Sequence, residues 1–268
     1  MPESGKELQN VHARTAGASS SRKVLNILLA FSEHRQGATV AELSQLIGAP
    51  IPTTYRHVAL LKELQLLEEG ATGIYHPTAK VMPLARAAQL SNTLAAIARP
   101  IVSQAATRLQ ETVMLLQYFG DSVVCIERTE CDRPMRYTFQ QGHSVPLGIG
   151  ASGKMAMASL LPDVQQSLLR SMGSDPELAQ NLELIRQQGF ATSKGEMDDG
   201  VWACSVPVLD SHRSPAVLTM AGPASRISDS AKDRALDVMR SSAAEIRLQY
   251  TEFDLTASPR PDAKRIGS

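Results

Sequence analysis

The chain has 268 residues, 43% of them hydrophobic, which is enough for one large or two small domains with their own cores. Lysine plus arginine equals aspartate plus glutamate at 27 each, so the net charge points to no class of partner and excludes none. Cys125, Cys131 and Cys204 form no CxxC pair, which favours a reduced, cytoplasmic protein with buried thiols. No apolar run approaches the roughly 20 residues of a membrane span, and the N-terminus lacks the apolar segment of a secretion signal.

Residues 21–84 predict a compact unit of three helices and a hairpin. Ser21 is a plausible N-cap for a first helix with apolar residues at helical spacing. Thr39 and Glu42 have the spacing of a capping box at the start of a second helix, and Gly48 ends that helix. Pro52 fits the first turn of a third helix, where its missing N–H is not needed. The segment "LLEEGATGIYHP" then predicts two short strands, so the unit reads as a winged helix-turn-helix.

The third helix carries the candidate DNA-reading residues. Val58 and Leu61 form its apolar stripe, with Thr54 on the same line, Arg56 on the opposite face and His57 at the edge. Arginine is the usual reader of guanine in the major groove, and lysine or arginine contacts with phosphates give affinity. We predict base contacts from Thr53, Thr54, Arg56 and His57 beside Pro52, and phosphate contacts from Arg22, Lys23, Lys62 and Lys80. The alternative is a three-helix protein-interaction module, with these side chains merely solvated.

The rest of the chain predicts an α/β domain behind a linker helix. Alanine and leucine dominate residues 80–98, a helix that Pro100 is expected to end. Strands follow on either side of the turn at Gly120-Asp121, and "MRYTFQQG" predicts a third strand. Three helices, two of them amphipathic, two apolar strands and a long closing helix with Ser228 near its cap complete the domain. We predict a flexible tail at 1–20, a DNA-binding domain at 21–84, a linker helix at 85–99, a ligand domain at 100–253 and a flexible tail at 254–268.

The stretch "PLGIGASGKMAM" matches both GxGxxG and most of a P-loop. Neither reading is supported, because no βαβ unit closes after it and Met155 stands where a P-loop needs serine or threonine. A glycine-rich turn that opens a helix still presents free N–H groups to an anion, and a carboxylate suits such a site as well as a phosphate. The alternative is that the glycines only permit tight packing.

Catalytic patterns are weak throughout the sequence. None of the six histidines has the spacing of a metal pair, and no G-x-S-x-G elbow occurs. Cys204 with His143 or His212 is conceivable as a nucleophile and base, but spacing gives it no support. We therefore predict a protein that is not an enzyme, with no cofactor and no metal.

In order and spacing, several segments resemble the IclR family of bacterial transcriptional regulators over about residues 21–250. The resemblance rests on "RKVLNILLAF", "ATVAELSQLIGAP", "TTYRHVALLKELQLLE", "MRYTFQQGHSVPL", "ASGKMAMA", "GVWACSVPV" and "AGPASRI". It implies an α+β protein: an N-terminal winged helix-turn-helix, a linker helix and a C-terminal GAF-like mixed α/β effector-binding domain. It also implies a homodimer or dimer of dimers, regulation of catabolic genes, and operator DNA, a small organic acid and RNA polymerase as partners.

The resemblance places the effector contacts on Ala151, Ser152, Ser193, Ala203, Thr219 and Ala221. Family members often carry an acidic residue, a cysteine and a serine at the positions of Ser193, Ala203 and Ala221, so this pocket is expected to be less polar. We predict an aromatic carboxylate bound at the amides of Ala151 to Gly153, with its ring against Met114, Leu116 or Trp202. Ile51 and Pro52 replace a basic residue and a hydroxyl, so either this operator contact is weaker or other groups supply it. Repressor or activator stays open, and a sensor that acts through protein contacts is the alternative function.

Overall fold

The computed structural model describes residues 17–32, 36–209 and 215–257. The N-terminal unit contains α1 (Ser19–Ala30), β1 (Ala38–Thr39), α2 (Val40–Leu46), α3 (Ile51–Glu63), β2 (Leu67–Glu69) and β3 (Ile74–Pro77). The three strands form an antiparallel sheet in the order β1-β3-β2, in which β2 and β3 are the wing.

Local sequence explains the boundaries of these helices. The predicted capping box is present, since the Thr39 hydroxyl accepts from the Glu42 amide and the Glu42 carboxylate accepts from the Thr39 amide. Ile27, Leu43 and Leu61 are buried together and hold α1, α2 and α3 around one core. The prediction for Ser21 is wrong: α1 begins at Ser19, so Ser21 lies inside its first turn. The predicted tails overlap helices at 19–20 and 254–257 and include the described residues 17–18, whereas their remaining residues, 1–16 and 258–268, lie outside the described residues.

The linker consists of two helices, α4 (Met82–Ser91) and α5 (Thr93–Leu109). The break falls at Asn92, whose side chain caps α5 by accepting from the Ala95 amide at 2.9 Å. The expectation that Pro100 ends this helix is wrong, because Pro100 lies inside α5. A proline there removes one backbone donor, and the burial of Ala98, Ile101 and other α5 residues against the domain core keeps the helix continuous.

The C-terminal unit is built on a six-stranded antiparallel sheet in the order β6-β5-β4-β9-β8-β7. Its strands are β4 (Thr112–Phe119), β5 (Ser122–Thr129), β6 (Ser144–Pro146), β7 (Ala191–Lys194), β8 (Val201–Leu209) and β9 (Ala216–Pro223). Helix α5 and the closing helix α9 (Asp229–Ala257) cover one face. The other face carries α6 (Gly150–Ala158), α8 (Pro176–Gln188) and α7 (Pro162–Ser171).

Alternation along the central strands divides the interior into two cores. Leu115 and Leu218 point toward α5 and α9, whereas Met114, Leu116 and Val217 point toward α6. Successive residues of a strand face opposite sides of a sheet, so the parity of a residue in β4, β8 or β9 decides which core it enters. The candidate ligand cleft lies on the α6 side.

The segment "MRYTFQQG" is not a strand, contrary to the sequence-based expectation. Residues 133–141 run as irregular backbone beside β5, and side chains rather than a strand ladder fix their carbonyls. The Thr112 hydroxyl donates to the Tyr137 carbonyl, and Arg226 donates to the Met135 carbonyl. This segment forms one wall of the cleft.

Within the described residues, no helix is both long and apolar enough to cross a membrane. The same part of the chain contains no group of three or more histidine, cysteine, aspartate or glutamate side chains arranged to hold a metal ion. Cys125, Cys131 and Cys204 are buried free thiols, as predicted, and burial raises the pKa of Cys125 and of Cys204 to about 12. Such thiols are poor nucleophiles, so Cys204 is unsuited to the catalytic role that the sequence left open.

Candidate functional site

The outer face of α3 is the candidate DNA interface. Arg56 is exposed, and its guanidinium has no hydrogen-bond partner among the described residues. Tyr55 beside it is 54% exposed, Pro52 is exposed in the first turn, and Thr53 is half-buried at the same end. Tyr55 was not predicted from the sequence, although its position next to Arg56 could have identified it. This face therefore presents a free guanidinium and a phenol to solvent.

Two of the residues assigned to base reading are inside the domain. Thr54 is fully buried and its hydroxyl donates to the Pro50 carbonyl at 3.2 Å. His57 is only 8% exposed, and its Nε2 is buried without a hydrogen-bond partner among the described residues. Both lie on the side of α3 that carries Val58, because residues three or four apart share a helix face. Neither side chain reaches a base edge while the domain keeps this conformation, so these two assignments are wrong.

The lysines assigned to phosphate contacts are engaged within the protein. Lys62 forms a 2.6 Å ion pair with Glu69 of the wing, which raises the pKa of Lys62 and lowers that of Glu69. Lys80 donates to the Leu64 carbonyl at 2.8 Å and Lys23 to the Gly48 carbonyl at 3.5 Å. These bonds tie α3 to the wing and to the segment after it, and α1 to the turn that follows α2. Among the predicted phosphate contacts, the side chain of Arg22 is the one with no hydrogen-bond partner in the described residues.

The candidate ligand site is a cleft between the sheet and the N-terminus of α6, with about 440 Å³ of space that includes the part open to solvent. Its floor is apolar and comes from alternate residues of the central strands: Met114, Leu116, Val201, Ala203, Thr219 and Ala221. Thr219 is the polar member, and its hydroxyl is bonded to Ser205 at 2.9 Å. A flat apolar group would therefore rest on side chains that offer it dispersion contacts and little competing polarity.

Aromatic rings line the wall opposite the sheet. Tyr137 and Phe139 belong to the irregular segment 133–141, and their rings are stacked with centroids 6.2 Å apart. The Tyr137 hydroxyl donates to the Asp198 carboxylate at 2.9 Å. Burial, followed by this hydrogen bond to a carboxylate, raises the pKa of Tyr137, so the phenol stays protonated.

The third side of the cleft is the N-terminus of α6, where backbone N–H groups and the helix dipole favour negative charge. The Gly150 amide donates to the Glu196 carboxylate and the Ala151 amide to the Ser193 hydroxyl, both at 3.0 Å. Ser152 is 6% exposed and borders the cleft, and neither its hydroxyl nor its amide has a hydrogen-bond partner among the described residues. An anion reaching this end would find unused donors.

Eight of the ten residues predicted to contact an effector border this cleft: Met114, Leu116, Ala151, Ser152, Ser193, Ala203, Thr219 and Ala221. Trp202 does not, because it has the opposite parity to Ala203 in β8 and packs with the core against α5 and α9. Gly153 does not either. A Cβ at Gly153 would lie 2.2 Å from the Pro146 carbonyl oxygen, so this glycine permits close packing of α6 on β6.

Half of the residues that border the cleft were not predicted from the sequence. The residues it did not assign are Tyr137, Phe139, Val145, Gly150, Glu196, Met197, Asp198 and Val201. Tyr137 and Phe139 were assigned to a strand, and alternation within that strand gave no sign that both rings face a ligand. Parity from Ala203 could have identified Val201. The sequence of residues 195–200 is typical of an acidic turn between two glycines, but it does not indicate which part of the protein that turn packs against.

Comparison with protein families matches both halves of the chain. The family model for the IclR helix-turn-helix domain matches residues 20–70, and the one for the bacterial transcriptional regulator IclR C-terminal domain matches residues 87–248. Among characterised proteins, the chain is 28% identical over 226 residues to the HTH-type transcriptional regulator TtgV of Pseudomonas putida. That alignment covers 80% of this chain and 85% of TtgV.

Solved structures share the fold at lower sequence identity. An IclR family transcriptional regulator from Brucella abortus superposes with a TM-score of 0.78 at 19% identity, over 93% of this chain and 99% of that one. An IclR homologue from Microbacterium hydrocarbonoxydans, solved in complex with 4-hydroxybenzoate, has a TM-score of 0.64 at 21% identity, over 89% of this chain and all of that one. The two family models together span most of the sequence. The chain therefore belongs to the IclR family of bacterial transcriptional regulators and is a DNA-binding regulator rather than an enzyme.

Proposed function

We propose that this regulator responds to a small carboxylic acid with an aromatic or similarly flat apolar body. The observation that carries the proposal is the make-up of the cleft, which joins a helix N-terminus with an unpartnered buried serine to apolar and aromatic walls. N–H groups and a hydroxyl at a helix N-terminus bind a carboxylate, whereas the stacked rings and the strand floor bind a flat hydrocarbon. A ligand with both parts satisfies both sides of the cleft.

The pocket chemistry argues against very small acids. A two- or three-carbon acid would leave the floor formed by Met114, Leu116 and Ala221 without contact, and buried apolar area is the main source of small-ligand affinity. The family resemblance places an acidic residue, a cysteine and a serine at the positions of Ser193, Ala203 and Ala221. The side chains present here are small, so they leave room for a ring. The 4-hydroxybenzoate bound by the Microbacterium homologue supports the same ligand class.

On the DNA side, we propose that Arg56 reads a base in the major groove, with Tyr55 and Thr53 beside it and Arg22 on a phosphate. The free guanidinium of Arg56 supports this, because bidentate arginine–guanine contacts are the commonest specific ones. We propose a homodimer, or a dimer of dimers, whose paired winged helices match two half-sites. Exposed apolar side chains on α4, including Leu84 at 73% and Leu90 at 76%, support burial of this helix against a second copy.

The same proposal places the protein in the cytoplasm, where it would meet operator DNA and RNA polymerase and regulate catabolic genes. Effector binding would shift the ligand domain between two states, and the linker helices would alter the spacing of the winged helices. Specific sites of this kind are typically bound at roughly 10⁻⁸ to 10⁻¹¹ M.

The experiment that tests this function is a titration of the DNA upstream of the regulator's own gene, across a salt series and with a panel of aromatic and aliphatic acids. We expect salt-sensitive, site-specific binding that one aromatic acid alters. Absence of specific binding at every salt concentration would remove support for this operator. Binding of only the two- and three-carbon acids would refute the proposed effector class.

Two variants separate the two sites. Arg56→Ala is expected to weaken specific binding by roughly 5- to 150-fold, corresponding to about 1–3 kcal/mol for one bidentate contact, and to leave acid binding intact. Ser152→Trp is expected to fill the cleft, abolishing acid binding while preserving operator binding. Arg170→Ala, an exposed arginine on α7, is the control and should change neither. Normal operator affinity in Arg56→Ala would show that another face of the domain reads DNA.

A further inference from the structure

The N-terminus of α6 already holds a carboxylate that belongs to the protein. One oxygen of Glu196 accepts from the Gly150 amide at 3.0 Å, and the other lies 2.6 Å from the Lys154 ammonium. Glu196 borders the cleft. Its carboxylate is therefore bound by a helix N-terminus and a cation, the two features that bind an anion most strongly at such a position.

Lys154 is held close to this position by a second bond. Its ammonium also donates to the Thr192 carbonyl at 3.2 Å, and its side chain is only 12% exposed. It lies one helical turn after Gly150, so its ammonium and the Gly150 amide can both reach one carboxylate. The lysine is in place for any carboxylate that takes the position of Glu196.

A second observation points to a ligand at the same place. Ser152, on the same helical turn, is only 6% exposed as a residue and borders the cleft, and its hydroxyl has no partner among the described residues. A carboxylate that entered the cleft could accept from Ser152, whereas nothing in the described protein does so.

Glu196 is carried by a short loop between two strands of the sheet. Residues 195–200 connect β7 to β8, and both ends are glycines with positive φ, Gly195 at 70° and Gly200 at 75°. Across the cleft the loop is held through Asp198, which accepts from Tyr137 at 2.9 Å. Next to Glu196, Met197 packs so closely on Gly150 that a Cβ there would lie 3.0 Å from its Cγ. The loop thus closes the cleft through these side-chain contacts, and backbone bonds from Gly195 to Val201 and from Val201 to Asp198 fix its base.

We propose that Glu196 is an internal competitor for the effector, and that the effector carboxylate displaces it and takes over the Gly150 amide and the Lys154 ammonium. Lys154 is then an effector-binding residue, and Glu196 sets the affinity by holding the same donors. Displacement of Glu196 also releases one of the contacts that hold the 195–200 loop, which couples occupancy of the cleft to the position of the loop. This inference rests on the proposed carboxylate effector.

The test is calorimetric titration of benzoate into the full-length wild type and into Glu196→Gln, Lys154→Gln and the double variant. Glutamine at 196 keeps an acceptor for the Gly150 amide but removes the charge that pairs with Lys154 and repels the ligand. We expect Glu196→Gln to bind benzoate about tenfold more tightly, a change of about 1.4 kcal/mol. Lys154→Gln should bind it about tenfold more weakly, both in the wild type and in the Glu196→Gln background.

The behaviour of Lys154→Gln distinguishes this proposal from a purely structural pair. If Lys154 served only to anchor Glu196, its loss would free the competitor and strengthen benzoate binding, which would overturn the proposal. Asp199→Asn removes a charge from the same loop at an exposed position and is the matched control, with benzoate affinity expected to stay unchanged. An equal gain in Asp199→Asn and Glu196→Gln would show a general charge effect and refute a specific competitor.

The outcome also separates this inference from the proposed function. Benzoate binding to the wild type that Glu196→Gln leaves unchanged or weakens refutes the competitor alone. Failure of benzoate and every other aromatic acid to bind any form, wild type included, refutes the proposed effector class and this inference together. Thermal unfolding of each variant by circular dichroism shows whether the domain is intact, and Glu196→Ala provides a second removal of the carboxylate with the same expected direction.

Discussion

Replacing Glu111 by glutamine is expected to destabilise the ligand domain far more than the same change at a surface ion pair. The Glu111 carboxylate accepts two hydrogen bonds from Arg226, at 2.7 and 2.8 Å, which join the start of β4 to the end of β9. The pair raises the pKa of the Arg226 guanidinium, which also donates to the Met135 carbonyl in the wall of the cleft. A neutral amide would break the bidentate pair and leave the cation with one poor acceptor.

The magnitude follows from how deeply each partner is buried. The Glu111 side chain is 4% exposed and the Arg226 side chain 26%. Removing one partner of a fully buried pair costs about 3–5 kcal/mol, but an arginine that is a quarter exposed keeps part of its hydration. We therefore expect a loss of about 2–3 kcal/mol in the free energy of unfolding. At about 2–4 °C per kcal/mol for a domain of this size, the melting temperature should fall by roughly 4–12 °C.

The matched control is Glu183→Gln. Glu183 pairs with Arg186 one turn along α8, with side chains 54% and 39% exposed, and exposed pairs contribute about 0–1 kcal/mol. Thermal unfolding followed by circular dichroism compares the two variants under identical conditions. Equal shifts for both would refute the reasoning from burial. Gly222→Ala is a second route to the same defect, because its Cβ would lie 2.3 Å from a Glu111 carboxylate oxygen.

Three further predictions concern packing, thiols and capping. Gly153→Ala places a Cβ 2.2 Å from the Pro146 carbonyl oxygen, so α6 must move; we expect about 1–3 kcal/mol less stability and weaker acid binding by calorimetry, and an unchanged melting curve would contradict this. The thiols of Cys125 and Cys204, with a pKa of about 12, should resist iodoacetamide at pH 8 until urea unfolds the chain, as read by mass spectrometry. Since their folded pKa is raised from 9.0, their contribution to stability is full below about pH 9 and declines as the pH rises toward 12. Thr39→Ala should cost about 1 kcal/mol in urea unfolding, and no loss would show that the capping box is unimportant.

Local patterns predicted the helices and most strands because those elements depend on near neighbours. The capping box at Thr39 was readable from spacing alone, and the helix-turn-helix followed from two short apolar stripes and a tight turn. Local patterns did not predict that α5 continues past Pro100, because the burial that keeps this helix continuous comes from a distant sheet and from the closing helix. The segment around Tyr137 has the alternation of a strand, yet bonds from Thr112 and Arg226 hold it as irregular backbone. Those donors come from other parts of the chain.

The cleft shows which part of a site a sequence can specify. The resemblance placed Ala203 in the pocket, and strand parity then excludes Trp202, since neighbours in a strand face opposite sides of the sheet. The assignment of Trp202 to the pocket could therefore have been excluded from the sequence alone. Glu196 is different, because its partners Gly150 and Lys154 lie 46 and 42 residues earlier in the chain, and no spacing rule joins a hairpin loop to a helix over that distance. The floor of the cleft follows from alternation along strands, whereas its closing loop follows only from the folded arrangement. Glu196, the proposed competitor of the effector, is thus a residue that local sequence reasoning could not find.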